Sequence, residues 1–286
     1  MIKKLANLTL VRRVGDFVLH PDKPKHATPR LKKPAVKKGP TKSRVAGPAK
    51  RKLQKAASQP TPSSAGLRIG VMDLGAYLGD LSSLLNALNH AQTLFQLFEV
   101  QAPIPGGLIK TPEGMTQWAA ENGAYTEKLS PSTFDEPQMI VNEFSVATQD
   151  IRKAFKLARV VGVTAAMIAG LDEHGVYWNY VNAEENKAIL FSVRDIRPFA
   201  EKAGRPFTAA VGALLVGALL ASVNEKIEYH PDTGCLFDFN WSRVSLVETF
   251  KQLRIENSCF EKLNAKQRVA ADAMLSVLRA MKRKSK

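Results

Sequence analysis

The chain has 286 residues, of which 45% are hydrophobic, and a formal net charge of +15. That composition suits a globular protein of one or two domains and excludes a collagenous or wholly disordered chain. Two cysteines, 24 positions apart, exclude a disulfide framework and suit reduced thiols in a cytoplasmic setting.

The charge is uneven. Residues 1–66 hold 17 Lys or Arg against Asp16 and Asp22, so the arm alone carries the +15. The first twenty residues lack an export signal, because Asn7, Arg12 and Arg13 break the apolar stretch and no small-residue cleavage site follows. Residues 21–66 are rich in Lys, Pro, Ala, Gly and Ser and contain no aromatic residue, which predicts a disordered basic arm. One reading is a solubilising linker. The other is an electrostatic arm, carried by Lys32, Lys33, Lys37, Lys38, Lys50, Arg51 and Lys52, that contacts nucleic acid or another polyanion without base specificity.

A single globular domain is expected over 67–286. Leu67–Leu74 reads as a strand, Asp80 caps a helix with Leu81, Leu84, Leu85, Leu88 and Ala91 on one face, and Phe95–Val100 returns as a strand. This order opens an α/β layer arrangement. No dinucleotide fingerprint and no GK[ST] loop appears. A short helix starts at Thr111-Pro112 and stops at Asn122-Gly123, and a further helix is predicted over Val146–Ala158 with Ile151 and Phe155 inward. Arg159–Thr164 reads as a buried strand. The turn Asp172–Gly175 leaves His174 in solvent, and strands follow over Val176–Val181 and Ala188–Val193. After a short helix ending at Gly204, Phe207–Val223 forms an uncharged helix too short to span a bilayer comfortably, and therefore buried. Ser242 caps a helix over Arg243–Leu253. Asn264 caps a last helix to Lys282, with Val269, Ala273, Leu275, Leu278 and Met281 among its apolar positions.

The order of the later elements resembles the archaemetzincins, zinc metallopeptidases of the metzincin group. The resemblance rests on Val160-Val161-Gly162-Val163-Thr164, then Trp178-Asn179-Tyr180-Val181-Asn182-Ala183, then Ala188–Val193, the central helix and a Cys-containing turn. It implies a mixed sheet packed on the buried central helix, an α/β (α+β) fold ending in a helical segment. In that family the helix carries HExxHxxGxxHC, followed by CxM and later CxxC, with three histidines on a catalytic zinc and the Glu as base. Matching Cys235 to CxM places these positions on Leu219, Leu220, Val223 and Tyr229, none of which binds zinc or activates water, and Phe237 replaces the Met. The resemblance is thus to a degenerate metallopeptidase, a pseudoenzyme. The family's structural cysteines fall on His230, Cys235, Glu256 and Cys259. These four could surround a zinc, or the cysteines could be small buried hydrophobes.

Three functions compete. The first is a non-catalytic binding or regulatory protein with an arm for nucleic acid, its lost zinc chemistry replaced by recognition of a protein or other ligand. The second is a metal-dependent hydrolase with a relocated site around His230, Asp232 and Asp238, and Glu256 beside them. The third makes the arm the main function and the globule a scaffold.

Overall fold

The computed structural model describes residues 66–281 apart from 104, 125–128, 135 and 241. The arm lysines and arginine named above lie outside the described residues, as do Lys282 to Lys286. Strand β1 (Leu67–Leu74), helix α1 (Leu81–Ala91) and strand β2 (Phe95–Glu99) form the expected strand–helix–strand unit, with β1 and β2 parallel. The Asp80 carboxylate accepts from the Ser83 N–H at 3.0 Å, capping α1, and Leu81, Leu84, Leu85 and Leu88 are buried.

A short strand β3 (Ile109–Lys110) precedes helix α2 (Pro112–Glu121), then strand β4 (Gln138–Ile140) runs into helix α3 (Val141–Ala154). Strands β5 (Arg159–Thr164), β6 (Met167–Asp172), β7 (Gly175–Tyr180), β8 (Asn182–Glu185) and β9 (Ala188–Ser192) follow. They build two sheets. The larger has the order β2-β1-β5-β9-β8, parallel except for the antiparallel edge strand β8. The smaller has the order β3-β4-β6-β7, with β4 and β6 parallel.

The larger sheet is buried on both faces, as parallel strands require. Alternation along β5 sends Val161 and Val163 toward the core around the central helix, and Val160 toward the α3 side. Gly162 shares the second face: a Cβ there would lie 2.6 Å from Leu74 and Leu190 and 2.8 Å from Phe144. The absent side chain lets α3 approach the sheet.

Helix α4 (Ile196–Lys202) is followed by α5 (Phe207–Ser222), the predicted central helix, and the two meet at 109°. Twelve of the sixteen residues of α5 are buried. No single helix among the described residues is long and apolar enough to cross a membrane. A Cβ on Gly212 would stand 2.4 Å from Leu278, so the glycine sets how closely the last helix packs. That chain end comprises helices α6 (Leu246–Gln252), α7 (Asn257–Lys262) and α8 (Ala265–Ala280). Asn264 and Gln267 form a capping box at the start of α8.

Several expected boundaries move. Helix α3 begins at Val141, because Val141 and Phe144 are the fully buried side chains, and Phe155 falls past its end with half its surface exposed. Val269 on α8 is 71% exposed, while Ala270, Ala271, Met274, Leu275 and Leu278 face the core. Arg243–Ser245 is a 3-10 turn rather than the start of α6.

Candidate functional site

The chain leaves α5 and returns beside it as the turn 229–240. Its frame is a small ladder: the His230 N–H donates to Phe237 O at 3.2 Å, the Phe239 N–H to His230 O at 2.8 Å, and the Leu236 N–H to Arg254 O at 2.9 Å. Gly234 turns the chain with φ +84°. The pin of the turn is Asp238, whose side chain is 1% exposed. One carboxylate oxygen accepts from the backbone N–H groups of Thr233 at 2.7 Å, Gly234 at 2.6 Å and Cys235 at 3.0 Å, and the other from the Thr233 hydroxyl at 3.0 Å. The second oxygen also lies 3.4 Å from His230 Nδ1.

The ligand atoms of His230, Cys235 and Cys259 lie within 4.8 Å of one another. His230 Nδ1 is 3.0 Å from the Pro231 carbonyl oxygen, which can only accept, so in the neutral imidazole Nδ1 carries the hydrogen and Nε2 the lone pair. That Nε2 is buried and has no hydrogen-bond partner. Cys235 Sγ accepts from the N–H groups of Phe237 at 3.5 Å and Glu256 at 3.4 Å. Burial pushes the Cys235 thiol up to about 12, against the pull of these two N–H groups, and burial raises the Cys259 thiol as well. A soft divalent cation would offset the burial that disfavours thiolate, and an orphaned imidazole nitrogen with two thiols is a suitable donor set for zinc.

Of the four residues expected to share a metal, three are brought together and Glu256 does not join them. Its backbone N–H goes to Cys235 and its carboxylate lies 3.6 Å from Arg254. Of the expected hydrolase set, His230 and Asp238 lie 3.4 Å apart, Asp238 also holds the turn's N–H groups, and Asp232 is exposed and lies outside the His230, Cys235, Cys259 group.

Beside the turn is a cleft of about 70 Å³ between the β7–β8 corner and α5. The α5 residues that line it are Leu214, Gly217 and Ala218, spaced three and four apart on one helix face. Leu219 and Leu220, matched to the family's first His and its Glu, are instead fully buried in the core. Val223 ends the helix and packs on that core, while Tyr229 does line the cleft. Asn182 Nδ2 donates to the Tyr229 hydroxyl at 3.0 Å, and the Tyr229 ring lies 6.0 Å from that of Phe239. Burial raises the Tyr229 hydroxyl to about 12, so it is neutral near pH 7.

Leu214, Gly217 and Ala218 are not singled out from sequence, and Asn182 enters only within the Trp178–Ala183 stretch and not as a cleft residue. The small residues Gly217 and Ala218, one turn beyond Leu214, are a signal that could have marked a helix face open to a cleft. Asn182 gave none, since an Asn beside a strand reads as turn chemistry.

No family model matches the chain, and no curated protein does. Among solved structures the chain is similar to an archaemetzincin from Methanopyrus kandleri, at 12% identity and a TM-score of 0.44, over 76% of this chain and 98% of that one.

Proposed function

We propose that the chain is a non-catalytic binding or regulatory protein. The cleft between Asn182 and α5 takes a ligand, a zinc held by His230, Cys235 and Cys259 secures the turn behind it, and the basic arm adds attraction for nucleic acid. The observation that carries the reading is the helix face in the cleft. Leu214, Gly217 and Ala218 offer no group that holds a metal or activates water. The polar lining residues Asn179, Asn182, Tyr229 and Asn240 are neutral, and the carboxylate of Asp238 is spent on backbone N–H groups.

Zinc bound by the three residues would tie the turn 229–240 to α7, and its affinity would become part of the folding free energy. Elemental analysis of the full-length protein is expected to find one zinc per chain, lost in Cys259→Ser and His230→Ala. Zinc-loaded protein is expected to leave peptide and ester substrates intact. Turnover abolished by His230→Ala would replace this reading with the hydrolase. For the arm, replacing Lys32, Lys33, Lys37, Lys38, Lys50, Arg51 and Lys52 by Gln is expected to weaken retention on DNA or RNA and flatten its salt dependence. Equal retention by both proteins at all salt concentrations removes the arm from the account.

A further inference from the structure

Cys235 and Cys259 are the chain's only cysteines, and both are free and buried. Backbone pairing brings them together across the turn. Cys235 forms a parallel bridge with Arg254, the Leu236 N–H donates to Arg254 O at 2.9 Å, and the Glu256 N–H donates to Cys235 Sγ at 3.4 Å. The first turn of α7 then leads from Glu256 to Cys259, whose N–H donates to Glu256 O at 3.1 Å. The two sulfurs end within 4.8 Å of one another, on segments that the ladder holds in place. A bond between them needs a separation of about 2 Å.

The pair shares its place with His230, whose side chain is 22% exposed, so the group opens toward solvent on that side. Bound zinc keeps both sulfurs as thiolates, which is the form that a peroxide oxidises. Of the residues in the turn, Tyr229, Leu236, Asp238, Phe239 and Asn240 line the cleft, and His230 follows Tyr229 directly. Whatever holds His230 therefore also holds one wall of the cleft.

We infer that hydrogen peroxide converts Cys235 and Cys259 into a reversible disulfide in exchange for the zinc, and that the exchange frees His230 at the edge of the cleft. One thiolate attacks a peroxide oxygen, the O–O bond breaks and hydroxide leaves, giving a sulfenic acid. The second thiolate attacks that sulfur, the S–O bond breaks, a second hydroxide leaves and the S–S bond closes. The two sulfurs lose two electrons and the peroxide gains them. Cys235 stays tied to α7 through Cys259, while His230 loses its partner. The exchange rests on the zinc reading proposed above, and the bond itself does not.

The test takes full-length, zinc-loaded protein, adds hydrogen peroxide and denatures it without reductant. Expected are an intact mass lower by two hydrogens, a peptide map in which Cys235 and Cys259 are linked, and one zinc released to a chromogenic chelator per link formed. Dithiothreitol is expected to reverse the mass change and restore zinc uptake. Hydrogen exchange reads the effect on the cleft wall: the amides of Tyr229 and His230 exchange about tenfold faster after oxidation, while those of Gly234 and Cys235 are unchanged because Asp238 still holds them. Sulfinic acid on either cysteine, links only between chains, or a link that forms only in urea overturns the disulfide and leaves zinc binding standing. A native chain that binds no zinc yet forms the link supports the disulfide and overturns the zinc reading. Equal exchange in the two forms overturns the coupling to the cleft.

Discussion

Replacing Asp238 by Ala removes the acceptor for three backbone N–H groups and one hydroxyl at once. Thr233 is exposed and its groups can turn to water, but Gly234 and Cys235 are buried and their N–H groups cannot. At about 1–3 kcal/mol for each buried donor left unmade, the two together cost about 2–6 kcal/mol. That is a large share of the roughly 5–15 kcal/mol by which a domain is stable. Asp238→Asn keeps one carbonyl oxygen where three N–H groups converge and loses the charge, so its cost is smaller, about 1–2 kcal/mol. Urea unfolding followed by tryptophan fluorescence measures both, and the order wild type, Asn, Ala is the expected result. The pin also holds Cys235 and faces His230, so zinc affinity should fall in the same order. An Ala variant within about 0.5 kcal/mol of wild type, with an unchanged urea slope, would refute the assignment of Asp238 to the turn.

Gly162→Ala places a methyl against Leu74, Phe144 and Leu190 simultaneously and is expected to destabilise by about 1–3 kcal/mol in the same unfolding assay. On α8, Val269→Gln should stay within about 0.5 kcal/mol of wild type because Val269 is largely exposed. Met274→Ala, five residues on and fully buried, should cost about 2–5 kcal/mol. Burial, and then the nearby Asp172 charge, raise the Tyr177 hydroxyl above its ordinary value of 10.0. The unfolded chain therefore loses that proton first as the pH rises past 10.0, and stability should fall from there upward. Tyr177→Phe is expected to flatten this fall, as urea midpoints measured below and above that pH will show.

The central helix was legible because a run of sixteen residues without a charge has few places to go other than a core, and its length separates it from a membrane span. Local chemistry likewise fixed the caps at Asp80 and Asn264, where a side-chain oxygen meets an N–H three residues on. Of the second sheet only β7 was legible, as the strand expected over Val176–Val181. Strands β3 and β4 have two and three residues, too few to show a period, and β6 contains Gly170, which reads as a break. Its reason is tertiary: a Cβ there would stand 2.4 Å from the hydroxyl of Tyr177 on the neighbouring strand. The start of α3 was misplaced because Val146 and Phe155 look apolar in sequence, yet the sheet contacts Val141 and Phe144.

By itself the sequence determined that the helix before the turn lacks zinc ligands, and a family resemblance placed His230, Cys235, Glu256 and Cys259 as one possible metal set. Proximity decided the rest. Only the folded chain turns the Glu256 carboxylate toward Arg254 rather than toward the thiols, and only there does Asp238 become a structural pin. Register along α5 was equally out of reach. A helix buried on nearly all sides has no polar face to set its rotation, so sequence could not distinguish Leu219 and Leu220 in the core from Leu214, Gly217 and Ala218 in the cleft.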